Sequence, residues 1–242
     1  MKRACLVVGA GDGLGGAVAR AFAGEGLVAC VTRRPRHLDQ LEALAADIGR
    51  SGGEARAFGV DARDEQETVA LIDCIEKEVG PLEVAVFNVG ANVRFGVLET
   101  TSQVYRKVWE MAAFAGFLMG REAARVMLAR GRGTILFTGA TASLRGRDGF
   151  SAFAGAKHAL RALAQSMARE LGPRGIHVAH IVVDGAIEGE FIKGLVPDYE
   201  AGLARGEILR ADALAANYVH LWKQDRSAWT HELDLRPWTE AF

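Results

Sequence analysis

The chain contains little cysteine, because Cys5, Cys30 and Cys74 are the only three in its 242 residues. They are odd in number, far apart in sequence and set in apolar segments. This pattern favours reduced thiols in a protein core over a disulfide framework. Reduced thiols are typical of the cytoplasm, so we expect a cytoplasmic protein.

The chain also lacks an excess of charge of one sign and a long apolar run. Its formal net charge is −1, so no global field attracts nucleic acid or an anionic membrane. No apolar stretch is long enough to span a bilayer, and the amino-terminal segment is a poor signal peptide. Histidines, cysteines and carboxylates do not cluster at metal-ligand spacing. We therefore expect no nucleic acid, no membrane and no metal among the partners.

Apolar, strand-like segments alternate with longer helical patterns. Strands are predicted at residues 3–9, 27–33, 54–61, 82–90, 133–140 and 176–185. Helices are predicted between them, including one long helix over residues 102–131, and a helix and a short strand follow Ile208. Continuous apolar strands in this order indicate a parallel sheet covered on both faces. The sequence thus predicts an α/β, Rossmann-like, doubly wound fold forming one domain over residues 1–242.

Residues 186–208 interrupt this regular pattern. They carry no strong periodicity and follow the sixth predicted strand. Segments of this kind often close over a ligand, so residues 186–208 are a candidate substrate lid.

A glycine-rich turn joins the first strand to the first helix in "VVGAGDGLGG". Gly9, Gly13 and Gly15 stand at G-x-x-x-G-x-G spacing, and Leu14 belongs to the same turn. Glycines there let the backbone approach a pyrophosphate bound at the helix N-terminus. The strand–turn–helix context favours a dinucleotide site over a turn without a ligand.

The second strand ends in an uncharged residue followed by two arginines. Proteins that prefer NAD place an acid at the position of Thr32, to bond the ribose 2′-hydroxyl. Arg33 and Arg34 follow it and favour NADP(H) over NAD(H), because guanidinium groups bind a 2′-phosphate. The alternative is a solvated basic turn. Asp12, in the glycine turn, would either repel that phosphate or orient Arg33.

Five segments, in order and over almost the whole chain, resemble the short-chain dehydrogenase/reductase family. They are "VGAGDGLG" (8–15), "VDARD" (60–64), "FNVGA" (87–91), "FAGAK" (153–157) and "VVDGAI" (182–187), the last with Asp184 in place of a proline. The resemblance implies hydride transfer between a nicotinamide and a carbonyl or alcohol carbon. It also implies further cofactor contacts, from Asp61, Ala62, Asn88, Gly90, Lys157, Gly185 and Ile187.

The resemblance also indicates where the family's catalytic residues stand, and three of the four positions are apolar. Lys157 matches the lysine that binds the nicotinamide ribose, but Phe153 occupies the position of the proton-donating tyrosine. Ala140 occupies the position of the serine that bonds the substrate oxygen. The asparagine that holds a water corresponds to Ala112 or Ala113.

These replacements predict a dry, apolar pocket and strongly impaired carbonyl reduction. A phenyl ring cannot donate a proton, and general acid–base catalysis typically contributes about 10²–10⁴-fold. Two hypotheses follow: an NADP(H)-binding oxidoreductase of low or atypical activity, and a catalytically silent nucleotide-binding protein with a regulatory or partner-binding role. The substrate, a small molecule, is not specified.

The same pattern leaves the role of several polar side chains open. Lys157 either bonds the ribose hydroxyls or extends its amine into solvent. Tyr199, in the candidate lid, is a possible substitute proton donor, although a surface aromatic is the default. Thr141 and Ser143 flank Ala140 and either supply a hydroxyl or make turn hydrogen bonds.

The helices predicted after the fourth and fifth strands are more apolar than one sheet face requires. The family usually forms dimers or tetramers through these helices. We therefore expect a homo-dimer or homo-tetramer.

Overall fold

Short apolar segments form a seven-stranded sheet in the computed structural model, which describes residues 2–240. The strands are β1 (Ala4–Val8), β2 (Val28–Arg33), β3 (Glu54–Gly59), β4 (Leu82–Phe87), β5 (Gly133–Thr138), β6 (Ile176–Val183) and β7 (Glu232–Leu235). All neighbouring strands are parallel, in the order β3-β2-β1-β4-β5-β6-β7. The order reverses between β1 and β4, and ligands of such sheets bind in the crevice at that point.

The α-helices follow from the amphipathic segments between the strands. They are α1 (Leu14–Gly24), α2 (Leu38–Arg50), α3 (Glu65–Cys74), α4 (Ser102–Trp109), α5 (Ala115–Leu128), α6 (Ser151–Leu171), α7 (Glu190–Lys193), α8 (Tyr199–Arg205) and α9 (Ala211–Lys223). No helix within residues 2–240 is long and apolar enough to cross a membrane.

The helices bury their apolar sides on both faces of the sheet. On one face, α1, α2 and α9 contribute Phe22, Leu41 and Leu214 to a buried cluster. On the other face, α3, α5 and α6 pack against residues of β4 and β5 that include Phe87 and Phe137. The predicted doubly wound, Rossmann-like, single-domain fold is confirmed.

The predicted single helix over residues 102–131 is wrong in one respect. A π-helical turn, Glu110–Phe114, separates α4 from α5. Such turns arise where backbone hydrogen bonds lengthen by one residue, and they are frequent at functional sites. The turn contains Ala112 and Ala113, and both are buried.

Residues 186–208 lie between β6 and α9 and contain the two short helices α7 and α8. A single parallel bridge joins Ile187 to Leu209 at the two ends of this segment. The segment is therefore anchored at its ends, beside the carboxyl end of β6.

Candidate active site

Two adjoining cavities lie at the carboxyl ends of the parallel strands. The smaller, of about 230 Å³, lies at the ends of β1 and β2 and is called the nucleotide cavity below. The larger, of about 550 Å³, extends toward α6 and the 186–208 segment and is called the reaction cavity. Asn88, Val89 and Gly90, after β4, line both. The two cavities therefore form one continuous crevice at the topological switch point.

The glycine turn packs too closely against its surroundings to carry side chains. Gly9 has a φ of +92°, and a Cβ atom on it would lie 2.7 Å from the carbonyl oxygen of Asn88. A Cβ atom on Gly15 would lie 2.3 Å from the carbonyl oxygen of Gly9. The Asn88 side chain donates a hydrogen bond of 3.1 Å to the same carbonyl. The sequence therefore needs glycine at these positions to bring the backbone beside the start of α1.

The amino end of α1 has no side-chain cap among residues 2–240. Free amide groups at a helix N-terminus, together with the helix dipole, favour an anion. Gly13 and Leu14 line the reaction cavity, whereas Gly9 lines the nucleotide cavity. The turn thus lies where the two cavities meet, and a pyrophosphate joining two nucleotide halves would fit there.

Basic side chains collect at the far end of the nucleotide cavity. Arg33, Arg34 and His37 line it, and Arg36 is hydrogen-bonded to His37 at 3.1 Å. Arg33 donates to the neutral amide of Gln40 at 2.7 Å. Within residues 2–240, the guanidinium groups of Arg33, Arg34 and Arg36 form no ion pair.

No ion pair compensates this basic cluster within residues 2–240, and the charge of Asp61 offsets the shift of the Arg34 pKa only in part. Partial burial and the charge of Arg36 lower the pKa of Arg34. Partial burial and the charge of Arg33 lower the pKa of His37. Since both shifts disfavour the charged form, an added anion would relieve the repulsion.

Thr32 provides an orphaned polar atom in the same cavity. It is 1% exposed and lines the nucleotide cavity. Its hydroxyl has no hydrogen-bond partner among the described residues. Buried hydroxyls are nearly always bonded, so the arrangement fits a ligand group at this position.

Asp61 lies at the same cavity but is already paired. Arg63 donates to both of its carboxylate oxygens, at 2.9 Å and 3.2 Å from Nε. This hydrogen bonding lowers the pKa of Asp61 and raises that of Arg63. Arg63 and the adjacent Ala62 also line the cavity. The carboxylate therefore pairs with Arg63 and acts on Arg34 only through a weaker electrostatic interaction.

Lys157 is buried, so its amine does not extend into solvent as one sequence alternative allowed. It is 3% exposed, and its Nζ donates to the carbonyl oxygens of Thr138 at 2.8 Å and Val89 at 3.2 Å. Burial lowers its pKa to about 8. Lys157 lines the reaction cavity, and no carboxylate within residues 2–240 pairs with its amine, so the position suits a neutral polyol such as a ribose.

The residues at the predicted tyrosine, serine and asparagine positions meet in space. Phe153, Ala112 and Ala113 belong to one buried apolar cluster, and Ala140 packs against it. Phe153 and Ala140 also line the reaction cavity. The wall beside Lys157 is therefore hydrocarbon where proton transfer would need hydroxyls.

The hydroxyls close to Ala140 are engaged in the structure. Ser143 is fully buried, and its Oγ accepts the backbone N–H of Ala140 at 3.1 Å. Thr141 lines the reaction cavity and donates its hydroxyl hydrogen to Asp184. Tyr199 accepts the backbone N–H of Gly189 at 3.2 Å and does not line either cavity.

The candidate lid contacts the glycine turn directly. The backbone N–H of Glu190 donates to the carboxylate of Asp12 at 2.9 Å. Gly185 and Ile187, which precede this contact in the chain, line the reaction cavity. Asp12 therefore bonds to the 186–208 segment and does not orient Arg33, which donates its hydrogen bond to Gln40.

Several cavity residues had no motif to identify them. Arg63 and His37 lie at the nucleotide cavity, and Arg145, Arg147 and Phe150 lie at the reaction cavity. They come from turns after β2, β3 and β5, where the sequence has no periodicity. The one sequence feature that they share, and that could have identified them, is that each lies in a segment following a predicted parallel strand.

Comparison with known proteins identifies the family. The family model described as short chain dehydrogenase matches residues 3–199. A short-chain dehydrogenase/reductase of Armillaria gallica is 32% identical over 180 residues, covering 73% of this chain and 68% of that protein. The chain belongs to the short-chain dehydrogenase/reductase family, and the predicted resemblance is confirmed.

Solved structures agree with the fold over almost the entire chain. A short-chain dehydrogenase from Rhodopseudomonas palustris is similar at 47% identity and a TM-score of 0.84, covering 98% of this chain and 99% of that one. A variant of actinorhodin polyketide ketoreductase, solved with NADPH, has 22% identity and a TM-score of 0.89, covering 98% and 96%. The second likeness supports the fold alone.

Proposed function

We propose that this protein binds NADP(H) in preference to NAD(H) and is an oxidoreductase of low or atypical activity. The observation that carries the cofactor preference is the uncompensated basic cluster at the end of β2. NADP(H) differs from NAD(H) by a 2′-phosphate, and this cluster is where a phosphate would gain most.

The charge of the cluster supports a phosphate in particular. Arg33 and Arg34 are half-buried, line the nucleotide cavity and lack a carboxylate partner within residues 2–240. A hydrogen bond to a charged group is worth about 1.5–3 kcal/mol, or about ten- to hundredfold in affinity. The orphaned hydroxyl of Thr32 offers one further polar contact at the ribose. The neutral 2′-hydroxyl of NAD(H) would not compensate the positive charges of these arginines.

The remaining contacts fit the rest of a nicotinamide dinucleotide. Gly9, Gly13 and the start of α1 would hold the pyrophosphate, and Asp61 and Ala62 would border the adenine. Lys157 would bond the nicotinamide ribose. Gly90, Gly185 and Ile187 would flank the nicotinamide ring, with Asn88 fixing the glycine turn. When bound, the nicotinamide would supply or accept a hydride.

The lining of the reaction cavity supports the proposal of weak activity. Phe153 and Ala140 border the reaction cavity without a proton donor, and Thr141 gives its hydrogen to Asp184. Ordinary reduction of a ketone needs a proton on the nascent alkoxide, so we expect it to be about 10²–10⁴-fold slower than with a positioned acid. A substrate that supplies its own proton, or takes one from water, would escape this limit.

The test of the cofactor proposal needs no substrate. NADPH and NADH are titrated against the protein and followed by nicotinamide fluorescence. We expect NADPH to bind at least tenfold more tightly, and Arg33→Ala and Arg34→Ala each to remove most of the difference. Arg169→Ala is the matched control, because Arg169 lies near the end of α6, away from both cavities. Equal affinities in the unaltered protein would contradict the proposal.

The same geometry supports a second candidate, a catalytically silent nucleotide-binding protein. The observation that favours it is the apolar cluster of Phe153 with Ala112 and Ala113. Such a protein would bind NADPH with the same preference but show no turnover on any carbonyl or alcohol. A broad substrate panel with bound cofactor separates the two candidates.

We also propose that the chain forms a homo-oligomer in the cytoplasm. Trp109, Phe114 and Phe117 stack in series on the outer side of α4 and α5, with ring centroids 5.9 Å and 6.2 Å apart. Trp109 and Phe117 are exposed, and a second copy of the chain would cover this aromatic face. The free thiols of Cys5, Cys30 and Cys74 suit a reducing compartment.

A further inference from the structure

The reaction cavity has a basic wall that neither the cofactor nor hydride transfer uses. Arg145 and Arg147, in the loop between β5 and α6, line it together with Phe150. We propose that this wall binds the carboxylate of an amphipathic, monoanionic ligand, the substrate of the proposed oxidoreductase. The inference rests on the proposed function only in assigning the ligand to the place beside the nicotinamide.

Arg147 supplies the free positive charge of this wall. Its side chain is exposed and lines the cavity, and within residues 2–240 its guanidinium group forms neither an ion pair nor a hydrogen bond. A guanidinium group presents several donors in a fixed plane, which matches the two oxygens of a carboxylate. The group is therefore available to a ligand without first breaking a contact.

Arg145 is held in place by a buried carboxylate and remains only partly neutralised. Asp184 is 3% exposed and accepts the hydroxyl hydrogen of Thr141 through Oδ1. Its Oδ2 lies 3.8 Å from Arg145 and 3.6 Å from Arg236. Since Asp184 divides its charge between two guanidinium groups, Arg145 keeps most of its donors. Arg236 also pairs with Asp234, so three arginines, Arg145, Arg147 and Arg236, face two carboxylates and leave one positive charge, which suits a monoanion.

The other charged groups of the cavity do not cancel this wall. Asp12 and Glu188 lie at the end of the cavity near the glycine turn. The Asp12 carboxylate accepts a hydrogen bond of 2.9 Å from the backbone N–H of Glu190, and the Glu188 carboxylate accepts one of 3.2 Å from the backbone N–H of Ala211. Lys157 is directed at two backbone carbonyls. The positive wall and the acidic residues therefore belong to different ends of the cavity.

The rest of the cavity selects the body of the ligand. Phe150, Phe153, Ile187, Phe191 and Ile192 line it with hydrocarbon. Burying apolar surface contributes about 25 cal/mol per Å², so an aromatic or aliphatic chain is favoured over a polyol. A carboxylate at one end of such a chain combines both requirements.

The test measures binding with the cofactor in place. The protein is saturated with NADP⁺ and titrated calorimetrically with butanoate, octanoate and 4-phenylbutanoate, and then with the corresponding amides. We expect at least one acid to bind tenfold or more tightly than its amide, and the gap to shrink when ionic strength rises from 50 to 500 mM. A phosphonate of the same body tests whether a dianion is accepted equally.

Variants locate the effect. Arg147→Gln is expected to abolish the preference for the acid without changing NADP⁺ affinity, and Arg147→Lys to restore part of it. Arg174→Gln is the matched control. Arg174 is exposed and lies just before β6, at the amino ends of the strands, whereas the reaction cavity lies at their carboxyl ends. Thermal melting of each variant checks that it is folded.

Three results would overturn the inference. They are equal binding of acids and amides, no binding of any probe to the NADP⁺ complex, and an acid preference that survives Arg147→Gln. Loss of NADP⁺ binding in the unaltered protein would instead contradict the proposed function. In that case the same titrations on the cofactor-free protein decide the inference, since the arginine wall lies outside the nucleotide cavity.

Discussion

The amine of Lys157 lies 5.8 Å from the ring centroid of Phe153, one helical turn earlier on α6. A cation near an aromatic face is attracted by the ring quadrupole. The ring offers no hydrogen-bond acceptor, so the amine bonds to the carbonyls of Thr138 and Val89. The helix thus keeps the lysine in position for a cofactor while lacking an acid beside it.

Restoring two hydroxyls should raise carbonyl reduction. The double variant Phe153→Tyr with Ala140→Ser places a phenol near Lys157 and a hydroxyl on the facing wall. We expect a gain of about tenfold or more in kcat/KM for NADPH-dependent reduction over a ketone panel, because an acid and an oxyanion donor are added. Phe150→Tyr is the control, since it adds a phenol elsewhere in the cavity. No gain over the unaltered protein would contradict a silenced reductase.

The buried Lys157 should contribute an increasing free energy of unfolding as pH rises, relative to a variant without its amine. Its pKa is about 8 when folded, whereas an unfolded lysine has a pKa of about 10.4. Between these values the unfolded chain holds a proton that the folded chain has released, so the free energy of unfolding increases by up to about 3 kcal/mol. Denaturant unfolding of the unaltered protein and of Lys157→Met is measured from pH 7 to 10.5. The difference between the two profiles isolates Lys157, because the buried thiols of Cys5 and Cys30, whose pKa values burial raises, titrate in both proteins. Parallel profiles for the two proteins would show the prediction to be wrong.

Adding a methyl group to the glycine turn should damage cofactor binding. Gly15→Ala brings a Cβ atom to 2.3 Å from the carbonyl oxygen of Gly9, so the turn must shift. We expect NADPH affinity to fall tenfold or more in a fluorescence titration. Gly24→Ala is the matched control on the same helix, because a Cβ atom there meets nothing within 4 Å. If both variants bind NADPH like the unaltered protein, the turn does not hold the pyrophosphate.

A charge on the aromatic face should separate the subunits. Phe117 stacks on Phe114 and is 39% exposed, and Arg121 lies over its ring. Phe117→Glu is expected to convert a dimer or tetramer into monomers, as measured by light scattering after gel filtration. Trp238→Glu, at an exposed aromatic away from α4 and α5, should leave the mass unchanged. A monomeric unaltered protein would refute the proposed oligomer.

Much of the crevice could be predicted from the sequence, because parallel strands bring their carboxyl ends to one edge of the sheet. Motifs after β1, β2, β4, β5 and β6 therefore had to meet, as Gly9, Thr32 and Lys157 do around the two cavities. The resemblance to the short-chain dehydrogenase/reductase family was what predicted that Phe153 and Ala140 face the same space, and both line the reaction cavity.

Other features could not be predicted, because they depend on tertiary contacts. The interruption of the predicted 102–131 helix by a π turn depends on packing around Ala112 and Ala113. The bond from Glu190 to Asp12 joins residues distant in sequence. Arg145 and Arg147 lie in a loop without periodicity, and the ion pair of Arg145 with Asp184 joins residues distant in sequence.

The packing around the π turn makes a polar side chain harder to accommodate there than at the wall of the reaction cavity. Ala112 is fully buried, whereas Ala140 and Phe153 border a cavity that admits water. An asparagine amide buried without partners costs about 1–3 kcal/mol, while a hydroxyl at the cavity wall remains solvated. A hydroxyl can therefore be introduced at either wall position alone, whereas an amide at Ala112 would first require the cluster to open.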